Sequence, residues 1–237
     1  MNLKDNLEEV RQEYLRRMTQ GHGDLLQDVE HHITRLNGKM LRPRLLLAAA
    51  ATRGEECLNS RRTHLLAVCV EMIHNSSLLH DDVVDHDISR RGQPSVNAQW
   101  GNRVAVLTGD FLLAKTMELL NEVDDSDASR RISLTVSEMV EAELLQLHNP
   151  IDSSTYLRII DGKTARLFAT ACALGNPAYE DFGLHYGRLF QLRDDIADNE
   201  APSFANGLIR QEEEILKKLP QLSIPEIPVN PQNTIKQ

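Results

Sequence analysis

The sequence is poor in aromatic residues, poor in glycine and nearly without cysteine. Aromatics make up 4% of the 237 residues and glycine 12 of them, thin material for a β-sandwich or barrel and better suited to helices. The three cysteines, Cys57, Cys69 and Cys172, are odd in number and far apart, with no CxxC or Cys/His zinc spacing. That excludes a disulfide framework or a zinc module and predicts reduced thiols in a soluble cytoplasmic protein. Long apolar runs are also missing. The longest, Leu45–Ala51, has seven residues, far short of the ~20 that a transmembrane helix needs. The opening MNLKDNLEEV has no stretch resembling a signal peptide. Positive charge is in deficit, 26 Lys and Arg against 35 Asp and Glu for a net charge of −9. Such a balance argues against a general nucleic-acid binder or a basic membrane-surface protein.

What the sequence does have is helical periodicity. A hydrophobic content of 41% over this length supplies one sizeable core. Breakers divide the chain into helices expected at 2–20, 24–36, 43–53, 60–86, 97–122, 127–147, 153–173, 178–199 and 206–219. Asp152-Ser153-Ser154 reads as an N-cap cluster and Gly175-Asn176-Pro177 as a stop. Five of the nine prolines fall after residue 200, and the stretch from Pro220 onward reads as an extended tail. The expectation is an all-α, single-domain helical bundle over 1–219 followed by a Pro-rich tail at 220–237. No internal repeat or useful strand alternation competes with it.

The strongest chemical signal is a repeated acidic pattern. Asp81-Asp82-Val83-Val84-Asp85 is matched by Asp194-Asp195-Ile196-Ala197-Asp198, both of the form DDxxD. Residues three and four apart share a helix face, so each copy gathers carboxylates on one side. Like charges so placed repel unless a cation sits among them. Hard oxygen donors favour Mg²⁺ or Mn²⁺, which complete their shells with water and phosphate oxygens. A lone copy is as readily a solvated acidic turn; two copies, each after an apolar helix, point to a diphosphate held through metal ions. Asp124-Asp125-Ser126-Asp127, by contrast, reads as a loop and helix cap.

Cationic residues are placed to complement these clusters. Lys39 and Arg42, within Gly38-Lys39-Met40-Leu41-Arg42-Pro43, stand at a helix entrance, and Arg90-Arg91-Gly92 follows the first acidic cluster. Gly162-Lys163-Thr164 lies within a helical stretch, where the glycine permits close approach. It is not a P-loop, because Leu157 stands where GxxxxGK[ST] requires glycine and no strand precedes it. Any one basic pair alone would more often be a solvated face.

Taken together, the stretches GKMLRP (38–43), EMIHNSSLLHDDVVDHDISRRGQPSVN (71–97), GDFLLAK (109–115), DGKTARLF (161–168) and FQLRDDIAD (190–198) resemble the trans-isoprenyl diphosphate synthases, the polyprenyl synthetase family. The resemblance covers about residues 36–198 and implies the isoprenoid-synthase helical bundle around a central cavity, a homodimer and dependence on Mg²⁺, with Mn²⁺ as a substitute. It assigns Lys39, Arg42, His74 and Arg91 to isopentenyl diphosphate. Asp81, Asp82, Asp85 and Arg90 fall to the first metal–diphosphate site of the allylic substrate, and Lys163, Thr164 and Gln191 to further allylic contacts. Asp194, Asp195 and Asp198 form the second metal site. Asp81, Asp82, Lys163 and Asp194 would carry most of the catalysis. The implied reaction ionises an allylic diphosphate, adds the double bond of isopentenyl diphosphate to the cation and loses a proton.

Ser77 and Ser76 stand four and five residues before Asp81, about one helical turn below the metal site. Small residues there leave an opening for a growing chain and imply a long polyprenyl product, although they also serve as helix-packing residues. After Asp198 only 39 residues remain, and they lack the lysine-bearing loop that the resemblance implies. Lys217 and Lys218 instead form the positive end of a last helix. The expectation is an active, shortened enzyme, with a partner chain able to cover the face left open. The competing readings are a non-catalytic or partner-dependent subunit of a heteromeric synthase, an HD-type phosphohydrolase suggested by His80-Asp81, and a terpene cyclase. The cyclase would have no use for Lys39, Arg42, His74 and Arg91.

Overall fold

The computed structural model describes residues 2–19, 23–35, 39–148, 152–199 and 201–223. It is an all-helical single domain built from α1 (Leu3–Thr19), α2 (Asp24–Arg35), α3 (Leu41–Ala51), α4 (Glu55–Leu58), α5 (Arg61–Val84), α6 (Val96–Trp100), α7 (Asn102–Val123), α8 (Ser126–His148), α9 (Ser153–Ile160), α10 (Arg166–Gly175), α11 (Glu180–Ala197) and α12 (Ala205–Leu216). Gly38 and residues 224–237, most of the expected tail, lie outside the described residues.

The organising element is α5. Every residue from Leu65 to Ile73 is buried, as expected of a helix apolar on all sides. It packs against α7, α3, α1 and α10, while α10 packs in turn on α3 and α11, and α12 lies along α11. Ser60 caps the start of α5 by accepting from the Thr63 amide at 3.2 Å. The end of the helix is left polar, and that end carries the first acidic motif.

Local signals placed several boundaries correctly. Asp152 caps α9 through the Thr155 amide at 2.7 Å. Asp125 caps α8 through the amides of Asp127 and Ala128, both at 3.0 Å. α10 stops at Gly175. The helix expected over 97–122 is instead two, α6 and α7, because Gly101 at φ 87° breaks it. The stretch expected as one helix over 153–173 contains a π-helical turn, Asp161–Ala165, between α9 and α10. An unforeseen strand pair joins Ser89–Arg90 to Gln93–Pro94. Its turn residues Arg91 and Gly92 have φ of 52° and 76°, as a two-residue hairpin connection requires. All three cysteines are free thiols. Among the described residues no helix is long and apolar enough to cross a membrane.

One buried charge is out of keeping with the core. Glu30 on α2 is 2% exposed, and neither carboxylate oxygen finds a hydrogen-bond partner among the described residues. Burial pushes its carboxyl up to about 7. Because this lies above the value in the unfolded chain, the stability tied to the protonated form is complete below the unfolded value and is lost as pH rises through 7. Glu30→Met is therefore expected to stabilise the protein by about 2 kcal/mol at pH 8 and by little at pH 4. Urea melts at the two pH values check this; equal shifts at both would contradict it.

Candidate active site

The last turn of α5 and the hairpin after it form one wall. Asp82 is buried, and the Arg90 guanidinium clasps it, with Nε donating to Oδ1 at 2.6 Å. Asn97 ties the loop down by donating to the carbonyls of Asp82 and Asp87, both at 2.9 Å. Asp82, read from sequence as a metal ligand, is thus engaged by Arg90, while Asp81 stays half-buried and Asp85 exposed. Burial, then the charges of Glu143 and Asp85, push the Asp81 carboxyl up to about 7, against the pull of Lys163 and Arg90. Asp81 at the end of α5 thus feels the charges of Glu143 on α8 and Lys163 on the π turn.

The π turn presents Lys163 and Thr164. Lys163 Nζ contacts Glu143 at 2.7 Å and Gln146 at 2.9 Å, both on α8. Gly162 is what lets the turn lie on α8: a Cβ there would come within 2.4 Å of the Ala142 Cβ and 2.8 Å of the Glu138 carbonyl oxygen. The close approach expected of this glycine is real. From Thr164 a polar chain runs to the second motif. Thr164 Oγ1 donates to Gln191 Oε1 at 2.7 Å, Gln191 Nε2 donates to Asp195 Oδ1 at 2.7 Å, and the Tyr156 hydroxyl donates to Asp195 Oδ2. Asp195 is thereby held, while Asp194 and Asp198 face outward. Although the Asp194 side chain is exposed, partial desolvation of its carboxyl by the surrounding chain, followed by the charges of Asp198 and Asp195, raises it above its ordinary range, and Lys39 and Arg42 oppose this.

A second cluster is cationic. Arg42, buried at the first turn of α3, stacks its guanidinium 4.4 Å from the centre of the Phe168 ring. Burial lowers its pKa to about 10, partly offset by Glu71, so it remains charged at neutral pH. Burial, followed by the charges of Arg42, Arg91 and Arg90, holds the His74 imidazole well below its ordinary value. His74 is therefore a neutral hydrogen-bonding group. Glu71, one turn before His74 on the same face of α5, sits in the field of Arg42 and Arg91 and is 5% exposed. Arg42 and Arg91 thus lie within electrostatic reach of His74, and Lys39 and Arg42 within that of Asp194.

Ser76 is buried and donates to the Gly109 carbonyl of α7 at 2.9 Å, whereas Ser77 is half-buried and donates to the His74 carbonyl at 2.9 Å. Packing accounts for Ser76; Ser77 keeps the more open side. His80 lies 3.3 Å from the Val106 carbonyl and 3.5 Å from Asp110, and its ring fills the space beside Gly109. It packs on α7. A groove of about 470 Å³, lined by Glu9, Glu13, Arg61 and His64 among others, lies at the opposite end of α5 and takes no part.

Glu71, Glu143 and Tyr156 were not foreseen. Glu71 could have been found from its spacing of three to His74. Glu143 and Tyr156 reach their partners across gaps of 20 and 39 residues, where no local pattern exists.

Among the described residues no three carboxylate, imidazole or thiol groups converge to enclose a metal ion. The donor chemistry nevertheless fits Mg²⁺: all the candidates are carboxylates, and the crowding that raises Asp81 is what a bound cation relieves. So few protein ligands imply water or phosphate oxygens in the remaining positions.

The model of the polyprenyl synthetase family matches residues 23–208. The chain belongs to the polyprenyl synthetase family. A relative in Rhodobacter capsulatus, the all-trans-nonaprenyl-diphosphate synthase (geranyl-diphosphate specific), is 41% identical over 187 residues, covering 73% of this chain and 57% of that one. Component 2 of the heptaprenyl diphosphate synthase of Bacillus subtilis is 34% identical over 83% of this chain and 59% of its own. A solved polyprenyl synthase from Caulobacter crescentus, complexed with calcium and isoprenyl diphosphate, superposes with a TM-score of 0.78 at 34% identity, over 82% of this chain and 62% of that one. This polyprenyl synthetase chain therefore spans less than two thirds of the length of these three relatives, and its helical bundle is the isoprenoid-synthase fold.

Proposed function

We propose that the protein is a prenyltransferase that condenses isopentenyl diphosphate with an allylic diphosphate. The observation that carries the reading is that the buried Arg42 guanidinium lies in the field of both the neutral His74 and Asp194 of the second acidic motif, with Arg91 acting on His74 and Lys39 on Asp194 from the exposed side. Lys39, Arg42 and Arg91 bind the diphosphate of isopentenyl diphosphate, and His74, held neutral, supplies a hydrogen bond. Lys163, Thr164 and Gln191 orient the allylic diphosphate, with Lys163 exchanging Glu143 for a phosphate oxygen. Asp81, Asp85, Asp194 and Asp198 hold Mg²⁺ or Mn²⁺, while Asp82 and Asp195 fix Arg90 and Gln191. A metal held by these carboxylates would neutralise charge on the allylic diphosphate and make it a better leaving group. The C–O bond then breaks with its electron pair on the diphosphate. The double bond of isopentenyl diphosphate adds to the allylic cation, and the released diphosphate takes the proton. The chain supplies no nucleophile; its residues position, stabilise charge and exclude water.

The product is a long polyprenyl chain, with Ser77 at its opening. The functional unit is a homodimer, supported by apolar side chains exposed on α7 (Leu107, Met117) and α8 (Val140, Leu144). The Bacillus relative, named as one component of its synthase, supports a second reading in which activity needs a different partner chain.

The test incubates purified protein with labelled isopentenyl diphosphate, an allylic primer and Mg²⁺, then chromatographs the products. Elongated chains are expected, and Ser77→Phe is expected to shorten them. Phosphate release without elongation would overturn the reading, and unchanged chain length in Ser77→Phe would overturn the role of Ser77. Elongation only after adding a second protein would select the partner-dependent form.

A further inference from the structure

The last described helix carries a buried acid that the reaction does not use. Of the run Glu212-Glu213-Glu214, only Glu212 is buried, at 2% exposure. Its Oε2 lies 2.5 Å from His185 Nδ1, and its Oε1 lies 3.6 Å from Arg188 Nη1. The other edge of the Arg188 guanidinium grips Asp161, with Nε to Oδ1 at 2.5 Å and Nη2 to Oδ2 at 2.7 Å. Asp161 is the first residue of the π turn that presents Lys163 and Thr164.

Two physical points give this chain of contacts a meaning. An i→i+5 turn is rare and persists when its surroundings hold it. A buried ion pair is a poor source of stability, since apolar side chains of similar size do as well or better, so its contribution here is placement. The same segment makes a second contact of this kind. Phe204, just before α12, packs edge-on against Tyr156, with ring centres 5.7 Å apart, and Tyr156 donates to Asp195. Leu208 and Ile209 of α12 pack on the same apolar cluster with Leu192 and Ile160.

We infer that residues 201–216 form a brace for the allylic-diphosphate wall, in which Glu212 acts through Arg188 and Asp161 to position Lys163 and Thr164. Glu212 and Arg188 touch no substrate; they are positioning residues. The diphosphate part of this inference rests on the function proposed above, whereas the brace itself rests on the contacts alone.

The experiment uses the full chain with Glu212→Gln, which keeps the shape and removes the charge. Amide hydrogen exchange over 161–165 is measured without ligand. Affinities for geranyl diphosphate and for isopentenyl diphosphate are then measured separately by calorimetry with Mg²⁺. Exchange is expected to quicken about tenfold. Geranyl diphosphate is expected to bind about tenfold more weakly, with isopentenyl diphosphate unchanged. Exchange at the parent rate overturns the brace, and equal weakening of both ligands overturns its selectivity for the allylic wall. Arg188→Lys keeps the charge but cannot bridge Asp161 and Glu212 as a fork; it is read the same way if Glu212→Gln does not fold. Failure of the parent protein to bind either diphosphate would sink the proposed function and leave the brace to the exchange rates.

Discussion

Asp81→Asn is expected to lower prenyl elongation by about a thousandfold while leaving a folded protein that, without metal, melts no lower than the parent at pH 8. Two properties of Asp81 produce this combination. It is the half-buried carboxylate at the end of α5 that feels both Glu143 of α8 and Lys163 of the π turn, where the proposed function puts a cation against the allylic diphosphate. An amide keeps the size but loses the charge that a hard cation needs. It is also the most crowded acid of the first motif: burial and the charges of Glu143 and Asp85 push its carboxyl up to about 7. The folded value lies above that of an unfolded aspartate, so the associated stability is complete at low pH and disappears as pH rises through 7. At pH 8 the metal-free parent therefore carries a strained carboxylate that the variant lacks. Elongation assays paired with melting curves in a chelator check both halves. A variant that still elongates at a tenth of the parent rate or better would remove Asp81 from the metal site. A variant that loses activity only because it unfolds would refute the crowding argument. Added Mg²⁺ should raise the melting temperature of the parent and leave that of the variant nearly unmoved.

Much of this arrangement could be read from the sequence because it is local. The spacing within each DDxxD puts the carboxylates on one helix face, and single residues such as Asp125, Asp152 and Gly175 mark helix ends through hydrogen bonds to their own neighbours. Division of labour within the motifs could not be read. Asp82 and Asp195 carry the same local signature as the residues beside them, yet Arg90 takes one and Tyr156 and Gln191 take the other. The π turn has no composition of its own; it exists because α8 and α11 press on it from two sides. Which of the three consecutive glutamates in α12 turns inward depends on how α12 rotates against α11, a tertiary fact with no local trace. Gly101 was missed for a different reason. A lone glycine in an amphipathic stretch is compatible with an uninterrupted helix, and only the backbone reveals its positive φ.

Gly162→Ala is the second large effect to expect, because one methyl group would strike the site and the fold together. The built Cβ falls 2.4 Å from the Ala142 Cβ and 2.8 Å from a backbone oxygen of Glu138. Contacts under 3 Å of this kind are not relieved by turning a flexible side chain, since one neighbour is itself only a Cβ and the other is main chain. The π turn must therefore move off α8 and take Lys163 and Thr164 with it. Overpacking of this kind costs about 3 kcal/mol, and a displacement near an ångström at a positioning group costs about a hundredfold in rate. Gly207 on α12 supplies the control: nothing lies within 4 Å of a Cβ built there. The same substitution at Gly207 should leave elongation unchanged and stabilise the protein by up to about 1 kcal/mol, through helix propensity and a less flexible unfolded chain. Urea melts and elongation rates of the two variants, run side by side, separate loss of the close approach from any general effect of adding a methyl group to a helix. If Gly162→Ala matched the parent in both measurements, the packing of the π turn on α8 would not be what positions Lys163.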